Sequence, residues 1–168
     1  MTLEHHPAWD LLVAMKAALI DEDAPAAEIT RQVAILEVED WIPPDLVPPF
    51  FALVLAGGQV KNETPDSHDR DYTVKLLAVQ SIPAAGQDGR VLGVPPYAPG
   101  ARVGILDLLW AGVRTIRGRG YGTWGWLQSG QETETRTIVD LAGEKVQGFV
   151  VRSHAFQFSR CFTGADTI

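Results

Sequence analysis

Residues able to do chemistry are sparse in this 168-residue chain, and their spacing decides how they read. Two carboxylate pairs, Glu37/Glu39 and Glu132/Glu134, stand two residues apart. In a strand that spacing puts both members on one face, where they can act as general acid and base or hold a cation. No nucleophile or third ligand accompanies either pair, so solvation or pairing with a neighbouring subunit explains them as well. His154 sits among apolar residues, and a period of two places Arg152 and Phe156 on its face, which points to a structural or interfacial role. His5 and His6 are adjacent near the start and His68 lies in a polar stretch. No second His or Cys stands at metal-ligand spacing from them, so neither a metal nor any cofactor is expected.

Two further motifs fail as catalytic or phosphate-binding elements. Ser129-Gly130 lacks the Gly-x-Ser-x-Gly setting of a nucleophile elbow, and Gly118-Arg119-Gly120-Tyr121-Gly122 lacks the Lys-Ser/Thr of a phosphate loop. The glycine segment reads as a turn. Arg119, Tyr121 and Trp124, in and just after it, form a mixture that can stack on bases, but the net charge favours the turn over a nucleic-acid element. Arg114, Arg117 and Arg119 cluster where a helix ends, and there the macrodipole favours cations by about 0.3–1 kcal/mol each. A net charge of −7 argues against tight binding to a phosphate backbone, which depends on Lys and Arg displacing counterions. The chain is therefore expected not to be an enzyme.

Composition bounds the elements that position these groups. At 46% hydrophobic and 21% charged, with five Trp and six Phe, the chain supports one globular domain with its own core. The single Cys161 excludes an internal disulfide. Apolar runs fall short of the ~20 residues a membrane helix needs, and the first residues lack the pattern of a signal peptide.

Leu12, Met15 and Leu19, with Leu11 and Ala18, predict an amphipathic helix over residues 6–23, with Pro7 in its first turn and Pro25 beyond its end. A strand is expected over 32–41. Four prolines in residues 43–49 then impose an extended connector. The apolar run 50–56, ended by Gly57-Gly58, predicts a strand buried on both faces, antiparallel to a strand over 71–80. Residues 57–70 read as a projecting loop rich in turn formers, and 83–100 as a second long loop. Val103, Leu106, Leu109, Trp110, Val113 and Ile116 mark one apolar face of a second helix over 101–117, stopped by Gly118 and Gly120. Two long strands, 124–135 and 148–160, are expected to join around Ala142-Gly143-Glu144, with Arg152 and Arg160 sharing the parity of Val150 and Phe156. The sum is a single α+β domain over 1–168: a mostly antiparallel sheet of about four to five strands covered by two helices.

The helix, glycine turn and strand pair after residue 101 carry a family resemblance. Its residues are Trp124-Gly125-Trp126-Leu127, Glu132-Thr133-Glu134-Thr135, a glycine turn and the closing strand 150–158, after an earlier strand like 72–79. This pattern resembles the tail terminator and tail completion proteins of tailed bacteriophages, also described as minor tail proteins. The resemblance spans most of the chain, and two departures mark it: a longer loop at 83–100 and a heavier proline segment before Phe50. It implies a structural virion protein at the head-proximal end of the tail, assembled in the host cytoplasm. It further implies a hexameric ring that ends tail-tube growth, with the tube protein and the head–tail connector or stopper protein as partners. DNA would pass through the ring without sequence-specific binding, and no membrane is involved. Acidic side chains facing the channel would keep that DNA from sticking. The alternatives are another connector, tube or baseplate component, a binding module that docks a partner without assembling, or a small hydrolase.

Head-to-tail rings need two different patches on each subunit. The two long loops are the expected arms, and the expected assembly contacts are Lys61, Asp66, Asp69, Arg70, Arg90, Tyr97, Arg119, Glu132, Glu134 and Arg152.

Overall fold

A computed structural model describes residues 6–61, 63–64, 67–81, 103–133, 136–142 and 145–163. Helix α1, Ala8–Ile20, buries Leu11, Leu12, Met15, Ala18 and Leu19, the expected stripe. It stops before Asp23 because Asp21 turns extended and its carboxylate accepts the Asp23 N–H at 3.1 Å, a local bond that competes with another helical turn. Helix α2, Ile105–Arg117, starts later than residue 101, after Gly104 in extended conformation. At its end Gly118 donates its N–H to the Arg114 carbonyl at 3.1 Å.

Among the described residues six strands form one sheet: β1 Val33–Leu36, β2 Phe50–Lys61, β3 Ser67–Ser81, β4 Gly125–Glu132, β5 Arg136–Ala142 and β6 Lys145–Thr163. The order is β1-β2-β3-β6-β4, with β5 also on β6. Only β1 and β2 are parallel; the other pairs are antiparallel. The α+β architecture of a mostly antiparallel sheet under two helices is the one expected, with corrections inside it. Strand β5 is additional to the expected five. Its Thr-Ile-Val run is β-prone and pairs along β6 beyond the end of β4, Arg136 opposite Val151 and Ala142 opposite Lys145. Strand β1 is four residues rather than ten, so Glu37 and Glu39 lie beyond it and the period of two does not relate them.

The expected loop over 57–70 is mostly hairpin. An irregularity between Leu55 and Gly57 shifts the register, after which β2 continues, pairing Gly57 with Thr73, Gln59 with Asp71 and Lys61 with Asp69. Thr64 and Ser67 close the turn, the Thr64 N–H donating to the Ser67 carbonyl at 2.7 Å. Gln59, Lys61 and Ser67 through Arg70, polar residues within the expected loop, lie on paired strands, while Asn62, Pro65 and Asp66 lie outside the described residues. The other expected loop, 83–100, lies outside the described residues.

The sheet carries a core on each face. On one, Phe51, Leu53, Val74, Leu76, Phe156 and Phe158 pack under both helices. On the other, Phe50, Ala52, Val54, Leu77, Val79 and Val151 pack with Ile42 and Leu46 of the proline-rich connector. Phe50 through Val54 are thus buried on both sides, as their unbroken apolar run requires. Full burial of such side chains contributes about 1.5–3 kcal/mol each. Two buried polar side chains tie the helices and loops together: the Thr115 hydroxyl donates to the Ala111 carbonyl at 2.9 Å and accepts the Ala26 N–H at 3.1 Å, joining α2 to the segment after α1. Gln80 Nε2 likewise donates to the Val103 carbonyl at 2.9 Å.

Candidate functional site

Register alone assembles a cationic cluster at the outer end of β3 and β6. Arg70 stands opposite Arg160, His68 opposite Phe162 and Tyr72 opposite Phe158, all on the helix-covered face. Two like charges directly opposite are unfavourable in a sheet. Aromatic rings offset this by stacking on the cations. The Arg160 guanidinium lies 4.8 Å from the Phe162 ring centroid and 5.7 Å from that of Trp124, and Arg70 lies 5.8 Å from Phe162. His68 stacks on Phe162 at 5.3 Å, and Tyr72 meets Trp124 edge-on at 5.5 Å and His6 at 5.4 Å. Arg70 Nη1 donates to the Tyr72 hydroxyl at 3.4 Å. Among the described residues neither guanidinium has a carboxylate partner.

Grooves flank this hairpin on both faces. One of about 290 Å³ is lined by His6, Leu55, Gly58, Val60, Arg70 and Tyr72. The other, about 330 Å³, lies among Gly58, Gln59, Lys61, Asp71, Thr73 and Gln157. Gly58 is required where they meet, since a Cβ there would stand 2.5 Å from the Tyr72 ring. Lys61 pairs with Asp71. Burial raises the Asp71 carboxyl, but hydrogen bonds from Lys61 and Ser159 outweigh it and hold the group below its ordinary range.

A second cluster joins β4 to β6. Glu132 lies 3.5 Å from Arg152 Nη2 and 3.8 Å from His154 Nδ1, and the His154 ring is 4.7 Å from Phe156. Burial lowers the His154 pKa, Arg117 adds to the effect, and Glu132 opposes it. The surroundings therefore favour the neutral imidazole more than water does. The 3.8 Å separation exceeds hydrogen-bond reach, and among the described residues no three His, Cys, Asp or Glu converge as metal ligands. The pair anchors one strand to another.

The expected contact residues thus divide into groups. Lys61, Asp69 and Arg70 share the hairpin. Glu132 and Arg152 meet each other. Arg119 stands apart, 2.9 Å from Asp21, whose carboxyl the Asp23 N–H and Arg119 together hold below its ordinary range. Asp66, Arg90, Tyr97 and Glu134 lie outside the described residues. The glycine segment is a turn, as expected, and Tyr121 and Trp124 are buried in the core rather than presented for stacking on bases, with the Tyr121 hydroxyl donating to the Ile116 carbonyl at 3.0 Å. Burial pushes that hydroxyl's pKa up. Glu39 is not half of an acid pair but a partner of Lys75, at 3.0 Å. His6, His68, Arg160 and Phe162 were missed as site residues. Their signal was alternation, His68-x-Arg70-x-Tyr72 and Arg160-x-Phe162, hidden because 57–70 read as a loop.

No protein-family model matches this chain, and no curated protein matches it.

Proposed function

We propose that this chain is a non-enzymatic structural subunit of a tailed-phage particle, assembling head to tail into a ring at the head-proximal end of the tail. The ring, hexameric by the family resemblance, ends growth of the tail tube and meets the head–tail connector. One observation supports the reading: the sheet has two unlike edges that no described strand covers. On one side β1 pairs only with Phe51 through Val54, so residues 55–61 of β2 keep an open edge. On the other, β4 and β5 border β6 and carry no further strand among the described residues. Open edges invite pairing with another chain, and unlike patches on one subunit suit the heterologous contacts from which rings are built. The −7 charge suits a ring through which DNA passes without being held.

Electron microscopy of the purified chain, alone and with tail tubes, tests the ring. Particles lacking the chain test its position. Tails of uncontrolled length support the terminator role, and tails of normal length refute it.

A further inference from the structure

Building on the ring reading, we infer that Arg70 and Arg160 receive an acidic, apolar segment of a second copy of this chain, residues 37–41 at the head of the proline-rich connector. Packing of Arg70 against Phe162, and of Arg160 against Phe162 and Trp124, holds the guanidiniums without using their N–H donors; Arg70 gives one Nη1 donor to Tyr72, and the others are left able to grip a carboxylate. The neighbouring groove adds apolar surface, Leu55 and Val60, the latter 50% exposed. The proposed ligand is its complement. Residues 33–49 contain four carboxylates and no Lys or Arg, and Val38 and Trp41 are 53% and 58% exposed beside the exposed Glu37. The segment is held in shape by the Lys75–Glu39 pair and by burial of Ile42, so little order is lost on docking.

The contact cannot form within one chain. Lys75 shares the parity of Leu77 and Val79, so Glu39 meets the sheet on the face opposite the arginines. It does so five residues along β3 from Arg70, about 17 Å at ~3.4 Å per residue. Receptor and ligand therefore point in different directions, as a head-to-tail repeat requires. A nucleic-acid backbone fits less well, because Asp69 and Asp71 flank Arg70 in a chain of net charge −7.

Sedimentation velocity of the full chain over a range of concentration and salt tests this, with Arg70→Glu and Glu37→Lys as variants and thermal melts to confirm folding. Glu37 is exposed, so its variant folds even if the Arg70 variant does not, and Arg70→Lys supplies a milder receptor change. The wild type should self-associate, more weakly at high salt. Each charge reversal should weaken association at least tenfold, and the two together in one chain should recover part of that loss. Association unchanged by both reversals overturns the inference and leaves the ring reading intact. Association lost in the variants while tails keep normal length without the chain refutes the terminator role and leaves this contact standing. A short labelled DNA duplex that binds through Arg70, with self-association unaffected by either reversal, also overturns the inference.

Discussion

Adding a methyl group at Gly112 sets helix propensity against packing, and the structure decides the sign. Gly112 lies in the interior of α2 and faces the sheet; its new Cβ would stand 2.8 Å from Leu76 Cδ2 and 2.8 Å from Phe51 Cε1. Both neighbours are 0% exposed and cannot swing into solvent. Gly→Ala in a helix interior stabilises by about 1 kcal/mol. Overpacking a core by one methyl costs about 1–3 kcal/mol. Gly112→Ala should therefore destabilise by roughly 0–2 kcal/mol, a fall in Tm of up to several degrees at about 2–4 °C per kcal/mol for a chain of this size. Leu76→Val removes the crowding methyl, so in the Gly112→Ala background it should cost at least ~0.5 kcal/mol less than alone, the coupling expected of touching residues. Urea unfolding of the four proteins measures the cycle. A higher Tm for Gly112→Ala, or strict additivity with Leu76→Val, would refute the close approach of α2 to the sheet.

Two further outcomes follow from buried polar groups. Thr115→Val keeps the side-chain shape but leaves the Ala26 N–H without its acceptor, which should cost about 1–3 kcal/mol in urea unfolding; a neutral effect would mean that the segment after α1 is not tied to α2. His154 has a folded pKa below its unfolded value of about 6.5, so the unfolded chain takes up the proton first. Its contribution is complete above that value and is lost as pH falls below it towards the folded pKa. Replacing His154 by Gln should flatten the loss of Tm on acidification below about pH 6.5, and an unchanged slope would count against a buried neutral imidazole.

What could be read in advance was whatever periodicity encodes. Leu11, Met15 and Leu19 announced one helix face, Leu109, Val113 and Ile116 another, and the run from Phe50 announced a strand with no solvated side. The hairpin was hidden because Gly57-Gly58 and the polar residues after them have the composition of a loop, while pairing across a register shift is a property of two strands together. Strand β5 was hidden for a similar reason: its seven residues gain a partner only because β6 runs nineteen residues, far enough to serve β4 and β5 in turn. Arg160 had been assigned its parity but not its partners, since Arg70 had been placed in a loop and the cross-strand pair did not yet exist.

That pair poses the remaining physical question. Rings alone explain how Arg70 and Arg160 tolerate each other: the negative face of Phe162 attracts both cations, and that of Trp124 attracts Arg160. They do not explain why charge is there. An apolar side chain at position 160 would pack on the same two rings with no repulsion across the strands, and buried or half-buried ion groups are commonly no more stabilising than such replacements. Arg160 in particular has no carboxylate partner among the described residues, so its charge adds repulsion from Arg70 and no salt bridge. The proposed recognition of an acidic partner would supply what folding does not. The stacked geometry holds the donors in place before that partner arrives, and the acidic excess of the chain provides the complementary group on every copy.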